Sequence, residues 1–384
     1  MERTAVKRNI LLNPGPSTTT DTVKYAQVVP DICPREREFV EIMREMKRDL
    51  LRVVEADPKR YAAVLFCGSG TLNIDACVSS LLPEGKKILV VNNGSYSARA
   101  AEAARYYDLD LVELTLPTDR PVDVKSVAEA LEREKDVAVV YACMHETGTG
   151  ILNPVREIGE LAHAHNAVMV ADTTSAYALL PFTVEEENLD FIMASAQKGL
   201  MSMTGLSFVI GRKDVLEASK DYPKRSYYSN LYLQYSFLRD KGEMHFTPPV
   251  QTIYATRQAL AEFFDEGIEK KSARHRNVWT ALRDGALSRG FKIAFPEEYM
   301  AKLVLPVLYP DTLDSDGAHY GEDAPGEPFD FFQFHDALYD KGFTIYPGKV
   351  ADTPTFRLCS LGAIDVEDID AFYRAVDEIL EETR

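Results

Sequence analysis

Among the 384 residues, no uninterrupted apolar stretch approaches the ~20 needed for a helix to cross a bilayer, so no membrane-spanning helix is expected. Cysteine is sparse: Cys33, Cys67, Cys77, Cys143 and Cys359 are odd in number and lack paired short spacing. They offer neither a disulfide framework nor a metal-binding pattern, which fits a reducing, cytoplasmic compartment. Basic residues are in deficit, with 43 Lys+Arg against 60 Asp+Glu and a formal charge of −17. An extended nucleic-acid or anionic-membrane surface is therefore not expected, since both partners are polyanions. A small anionic substrate is compatible, because a few converging arginines suffice to hold one. Residues 1–8 carry charge with no apolar core behind them, so no secretory signal is expected.

The chain has the composition of a globular protein, 46% apolar and 27% charged. Its length suggests roughly two or three domains at ~150 residues each. There is no internal repeat. From about residue 60 to 210, short apolar runs at 62–66, 88–91, 111–116, 137–142, 168–171, 191–194 and 207–210 read as strands. Helical patterns at 97–107, 124–134 and 155–165 lie between several of them. This alternation predicts an α/β fold with a mostly parallel seven-stranded sheet covered by helices. Ligands in such sheets bind beyond the carboxyl ends of the strands. Residues 251–289 read as long polar helices. Short strands at 303–308, 344–346 and 356–359 and helices at 331–341 and 366–380 then predict a smaller C-terminal α+β domain. The stretch 311–328 is rich in Asp, Gly and Pro and is expected to be a mobile surface loop, a tolerated insertion rather than a lid.

Five short motifs could carry chemistry. In Phe191-Ile192-Met193-Ala194-Ser195-Ala196-Gln197-Lys198-Gly199, an apolar strand runs through small residues to a lysine. An amine at a sheet edge can form a Schiff base with an aldehyde cofactor. On this segment alone, a surface lysine just past a strand is the commoner reading. Asp172 ends the apolar strand before Thr173-Thr174-Ser175. It could hold a pyridine nitrogen protonated, or simply cap its turn. Cys67-Gly68-Ser69-Gly70-Thr71 opens the helical segment 72–82, where glycines, hydroxyls and a helix N-terminus can cradle a phosphate. It is no Walker loop and lacks the full dinucleotide spacing. Asn92-Asn93-Gly94-Ser95-Tyr96 supplies an aromatic able to stack on a flat ring, and His145-Glu146-Thr147-Gly148-Thr149-Gly150 supplies hydroxyls for a ring oxygen. His145 alone reads as a metal ligand or a satisfied polar residue, and no second ligand at useful spacing supports metal. Together the five supply an amine, a carboxylate, a phosphate cradle, a ring platform and a ring-oxygen donor. Few cofactors other than pyridoxal phosphate need that set.

The order of these motifs resembles the class V aminotransferases of the pyridoxal-phosphate fold type I superfamily, and among them the 2-aminoethylphosphonate–pyruvate aminotransferases. The likeness runs from Asn9-Ile10-Leu11-Leu12-Asn13-Pro14-Gly15-Pro16 and Asp31-Ile32-Cys33-Pro34-Arg35-Glu36-Arg37 to Tyr346-Pro347-Gly348-Lys349 and Phe356-Arg357. It implies an N-terminal segment, residues 1–20, that contributes to the active site. A large cofactor-binding domain, 21–265, and a small domain, 266–384, would follow. Lys198 is implied to be the Schiff-base lysine and general base, and Asp172 the partner of the pyridine nitrogen. Ser69, Gly70 and Thr71 would cradle the phosphate, with Tyr96 stacking on the ring and Thr147 near its oxygen. Thr247 would reach the cofactor phosphate of a neighbouring subunit, which implies a homodimer with shared sites. Pro14 and Gly15 would line the substrate side, and Arg357 would grip the carboxylate of pyruvate or alanine. A phosphonate calls for a further cation, for which Arg35 and Arg37 are candidates; a surface salt-bridge pair accounts for them equally well.

The sequence departs from that pattern at Gly148, where many relatives carry a hydroxyl, in the apolar segment 199–205, and in the length of 311–328. The implied reaction is a ping-pong exchange of 2-aminoethylphosphonate and pyruvate for phosphonoacetaldehyde and alanine. Alternatives are an aminotransferase acting on another small amine with pyruvate or glyoxylate and, from another class, a nicotinamide-dependent oxidoreductase or a non-catalytic module. A cysteine desulfurase would need a cysteine on a flexible loop, whereas Cys359 is expected in a strand.

Overall fold

A computed structural model describes residues 6–350 and 353–382. The first five residues of the N-terminal segment, and residues 351–352, 383 and 384 of the expected small domain, lie outside the described residues. The apolar runs of the first half form seven strands: β1 Tyr61–Cys67, β2 Lys87–Asn92, β3 Leu111–Thr115, β4 Val137–Cys143, β5 Val168–Asp172, β6 Phe191–Ser195 and β7 Leu206–Arg212. They make one sheet in the order β1-β7-β6-β5-β4-β2-β3. The run from β6 to β3 is parallel. Strand β7 pairs antiparallel with both β1 and β6, setting Leu206 opposite Cys67 and Ser207 opposite Ser195. Because β7 alone is reversed, the carboxyl ends of the other six strands share one edge, and all five motifs leave from it.

Helices on both faces bury the sheet. Helix α1 (Arg37–Val53) presents Phe39, Met43, Met46 and Leu50 to the core at three- and four-residue spacing. The sequence reading missed this helix, although its periodicity was there to be read. Helix α2 (Gly70–Ser80) follows the glycine turn, and α3 (Ser97–Tyr106) follows Tyr96. Asp123 caps the helix Val124–Arg133 by accepting from the backbone N–H groups of Lys125 and Ser126, each at 3.2 Å. The expected long helices are α4 (Val250–Glu266) and α5 (Ile268–Ser288), broken at Gly267, whose φ of +78° suits glycine.

A second core gathers Trp279, Leu282, Phe291, Leu305, Phe356, Phe372 and their neighbours around strands Val304–Leu308 and Thr355–Cys359. Ile10 and Leu12 belong to this core, and Ile10–Leu11 pairs parallel with Phe343–Thr344. The strand expected at 344–346 is split into Phe343–Thr344 and Tyr346–Pro347. The segment 311–328 is not the structureless loop expected from its composition. Thr312–Asp314 pairs antiparallel with Gly317–His319 and with Glu327–Pro328, and Leu313 and Ala318 are buried in the second core. Two apolar anchors outweigh the turn-forming residues around them. No helix among the described residues is long and apolar enough to cross a membrane.

Candidate active site

Lys198 stands three residues beyond the end of β6, in a tight turn that brings the backbone N–H of Met201 onto its carbonyl at 2.9 Å. Its Nζ donates to the carbonyl of Pro14. The N-terminal segment is fastened to the same turn, with the N–H of Ser17 donating to the Gln197 carbonyl at 3.0 Å. Ser17 Oγ donates to the carbonyls of Gln197 and Lys198, each at 3.1 Å. A β-carbon at Gly15 would sit 2.6 Å from Lys198 Cδ and 2.9 Å from Nζ, and φ there is +133°, so a side chain at residue 15 would be strained and would displace the lysine. Burial lowers the pKa of Lys198 from 10.5 to about 8; nearby Arg357 and Arg99 add to the effect, and Cys359 and Asp172 oppose it. Such an amine is partly free near neutral pH, which a nucleophile or base requires.

Asp172 ends β5 at the same edge and is 6% exposed. Its Oδ1 accepts from the backbone N–H of Thr174 at 2.8 Å, so the turn-capping role is real, while Oδ2 accepts weakly from Tyr141 Oη at 3.4 Å. Among the described residues it forms no ion pair, and burial raises its pKa. A buried carboxylate without a cation suits a protonated ring nitrogen.

The glycine turn leads into α2, whose N-cap Ser69 makes no side-chain capping bond. The Leu72 N–H turns back to the Ser69 carbonyl at 3.0 Å, which leaves the N–H groups of Gly70 and Thr71 to meet an anion, next to the Ser69 and Thr71 hydroxyls. Arg99 Nη1 donates to Thr71 Oγ1 at 3.2 Å, and its guanidinium lies 4.8 Å from the centre of the Tyr96 ring. Lys349 Nζ lies 5.6 Å from the same ring centre. Tyr96 is held from beneath by Glu146, which is fully buried. The carboxylate accepts from the backbone N–H of Tyr96 at 3.2 Å and of Ser97 and Gly148, each at 3.3 Å. Burial pushes the Glu146 pKa up from 4.5 to about 7, against those three donors. A β-carbon at Gly94 would fall 2.4 Å from Glu146 Cγ, so only glycine lets the turn close over the carboxylate.

Thr147 Oγ1 lies 2.7 Å from Ser175 Oγ, which is 2.9 Å from His145 Nδ1. Arg357, on the strand Thr355–Cys359, is 2% exposed and reaches across from the second core. It donates to the Pro347 carbonyl at 3.0 and 3.2 Å and to that of Thr147 at 3.3 Å, and pairs with no carboxylate among the described residues. A buried guanidinium bonded only to carbonyls is ready for an anionic ligand.

Ser69, Gly70, Thr71, Tyr96, Thr147, Asp172 and Lys198 thus line one cavity of about 160 Å³. Its wall also holds Ile74, Arg99, His145, Thr174, Ser195 and Gln197. Of these, Arg99, Ser195, Thr174 and Gln197 were given no role from sequence. Arg99 could have been found as the residue one helical turn beyond Tyr96. Ser195 Oγ, Gln197 Oε1 and His145 Nε2 have no hydrogen-bond partner among the described residues. Buried polar atoms are nearly always paired, so three orphans around one cavity mark the wall of a polar ligand site. Amine, carboxylate, open helix N-terminus and flat aromatic fit pyridoxal phosphate. Three expected site residues lie elsewhere. Thr247 is exposed. Arg35 pairs with Glu243 at 2.7 Å and donates to the Met244 carbonyl at 2.7 Å, and Arg37 is exposed at the start of α1.

Fold and cavity together define an α/β protein with a buried lysine at the carboxyl edge of its sheet. The class-V aminotransferase family matches residues 21–293, and the chain belongs to that family. It is 31% identical over 373 residues to a 2-aminoethylphosphonate–pyruvate transaminase of Phocaeicola vulgatus, covering 96% of this chain and 98% of the relative. It is 30% identical over 373 residues to a bifunctional phosphonoacetaldehyde hydrolase/aminoethylphosphonate transaminase of Clostridioides difficile. There the alignment covers 97% of this chain but only 56% of the longer relative. The fold superposes on ureidoglycine–glyoxylate aminotransferase from Bacillus subtilis with a TM-score of 0.86 at 19% identity, covering 100% of this chain and 95% of the other. Class V aminotransferases are pyridoxal-phosphate enzymes, which sets the nicotinamide reading aside. Cys359 is fully buried in its strand, unlike a desulfurase cysteine on a flexible loop.

Proposed function

We propose that this chain binds pyridoxal phosphate through Lys198 and transfers an amino group between 2-aminoethylphosphonate and pyruvate, yielding phosphonoacetaldehyde and alanine, in either direction. The observation that carries the chemistry is the placing of Lys198, with its depressed pKa, in one cavity with an unpaired buried carboxylate, Asp172, and the open N-terminus of α2. The choice of substrates rests on the named activity of relatives matched over nearly their whole length. When bound, the cofactor supplies an electron sink for the carbanion left when a proton leaves the substrate carbon. Ser69, Gly70, Thr71 and the first N–H groups of α2 hold its phosphate, Tyr96 stacks on its ring, and Asp172 keeps its ring nitrogen protonated. Lys198 Nζ moves the proton at the substrate carbon, and Pro14 and Gly15 close the substrate side against it.

Arg357 takes the carboxylate of pyruvate or alanine in a forked, desolvated contact. Arg99 and Lys349, both close to the Tyr96 ring and without an ion pair among the described residues, add positive charge for an anionic substrate. Arg35 and Arg37 lie outside this chain's own cavity and would serve the phosphonate from across a homodimer boundary. Thr247, exposed beside Phe246 and Tyr227, would likewise reach the phosphate in a partner's site. A cytoplasmic enzyme agrees with cysteines that are all free.

The deciding experiment is the half-reaction: enzyme loaded with cofactor, one amino donor, no keto acid, and absorbance followed with time. Conversion with both 2-aminoethylphosphonate and alanine, abolished in Lys198→Ala, is expected. Conversion with alanine alone would keep the aminotransferase and remove the phosphonate. Absence of any cofactor absorbance would remove the reading altogether.

A further inference from the structure

His145 is a polar residue in the cavity wall that the proposed reaction leaves without a task. It is 3% exposed. Its Nδ1 lies 2.9 Å from Ser175 Oγ and 3.3 Å from the Ser175 carbonyl oxygen, while Nε2 has no hydrogen-bond partner among the described residues. A carbonyl only accepts; of the two that act on the ring, those of Ser175 and Gly150, the Ser175 carbonyl at 3.3 Å meets the hydrogen-bond geometry, and it assigns the ring proton to Nδ1. Burial lowers the pKa of the imidazole to about 4, so the ring is neutral at ordinary pH.

The hydroxyls next to it can order their protons in two ways. Ser175 Oγ has one hydrogen, with Thr147 Oγ1 at 2.7 Å and the His145 carbonyl at 3.1 Å within reach. If Ser175 donates to the carbonyl, Thr147 donates to Ser175 and turns only lone pairs to the cavity. If Ser175 accepts from Nδ1–H and donates to Thr147, the Thr147 hydrogen is left for the cavity. An anionic oxygen bound there selects the second order, and the fixed Nδ1–H polarises the chain in that direction.

We infer that His145 is a positioning residue that acts through Ser175 to make Thr147 a hydrogen-bond donor to the ring oxygen of the bound cofactor. The inference rests on the cofactor reading proposed above. A donor to the ring oxygen favours the form in which that oxygen carries full negative charge. Its loss therefore raises the pH at which the cofactor's absorbance changes.

The test is a pH titration of that absorbance in reconstituted wild type, His145→Phe, His145→Asn, Thr147→Val and the double variant His145→Phe/Thr147→Val. One hydrogen bond corresponds to a rise of roughly half to one pH unit in His145→Phe. His145→Asn, whose amide N–H can stand where Nδ1–H was, should titrate near wild type. The double variant should match Thr147→Val, because His145 acts only through Thr147. If His145→Phe does not fold, Ser175→Ala breaks the same chain and should shift the midpoint in the same direction. A wild-type midpoint in the folded His145→Phe or Ser175→Ala protein would overturn the inference while leaving the cofactor in place. So would shifts that add in the double variant. Wild-type protein that shows no cofactor absorbance would overturn both this inference and the reading beneath it.

Discussion

Glu146→Gln isolates the electrostatics that hold the ring platform in place. The carboxyl group is fully buried beneath Tyr96, and burial raises its pKa from 4.5 to about 7. The native state then keeps a proton that the unfolded chain loses as pH rises through that window. Stability contributed by the protonated group is complete below about pH 4.5 and is lost as pH passes 7. The rise corresponds to roughly 3 kcal/mol between the two ends of the window. Gln cannot ionise; its one oxygen can keep the N–H donors of Tyr96 and Gly148 that meet at Oε1, while its NH₂ faces the Ser97 N–H that Oε2 accepts in the wild type, a cost that does not depend on pH. The melting point of the variant relative to wild type should therefore rise by about 4 °C from pH 4.5 to pH 8.5, using roughly 2.1 cal/mol/K of unfolding entropy per residue. Thermal melts by circular dichroism at both pH values measure the difference. A difference from wild type that does not change between the two pH values would refute the reasoning. The three N–H donors would then outweigh burial, and the carboxylate would sit there ionised at no cost.

Gly94→Ala places a methyl 2.4 Å from Glu146 Cγ and should cost about 1–3 kcal/mol through overpacking. Most of that cost should vanish in a Glu146→Ala background, as a double-mutant cycle of melting data would show. Lys271 is fully buried on α5, donates to the Gly199 carbonyl at 2.6 Å, and has its pKa lowered by burial from 10.5 to about 7. Its stabilising share is present above pH 10.5 and lost as pH falls through 7, so Lys271→Met should lose the decline in wild-type stability between pH 10 and 7. Denaturant titrations across that range test it. Asp172→Asn should still take up the cofactor but slow the half-reaction by about 10²–10³-fold, the scale of losing one preorganised electrostatic contact, measured by stopped-flow absorbance.

Much of the candidate site was legible because its residues sit at strand ends. Lys198, Asp172, Thr147, Tyr96 and Gly70 each follow a short apolar run, and strands alternating with helices bring such ends to one edge of a sheet. The long-range partners were not legible. A glutamate in His145-Glu146-Thr147 carries no local sign of burial, and only the turn at Gly94 folding over it makes its carboxyl a support for Tyr96. The isolated lysine in the polar-looking run of α5 likewise gives no hint that Lys271 reaches Gly199.

Local pattern by itself determined the α/β class, the parallel centre of the sheet and the edge at which chemistry gathers. Apolar periodicity and glycine turns are short-range properties of the chain. Tertiary structure alone decided that β7 runs reversed between β1 and β6, that Ile10–Leu11 joins the second core, and that Arg357 reaches from the strand Thr355–Cys359 to the Thr147 carbonyl. It also decided that 311–328 folds into a small sheet, anchored by Leu313 and Ala318. Each of these depends on which surface is left to bury once the rest has packed, and no neighbouring residue in the sequence encodes that.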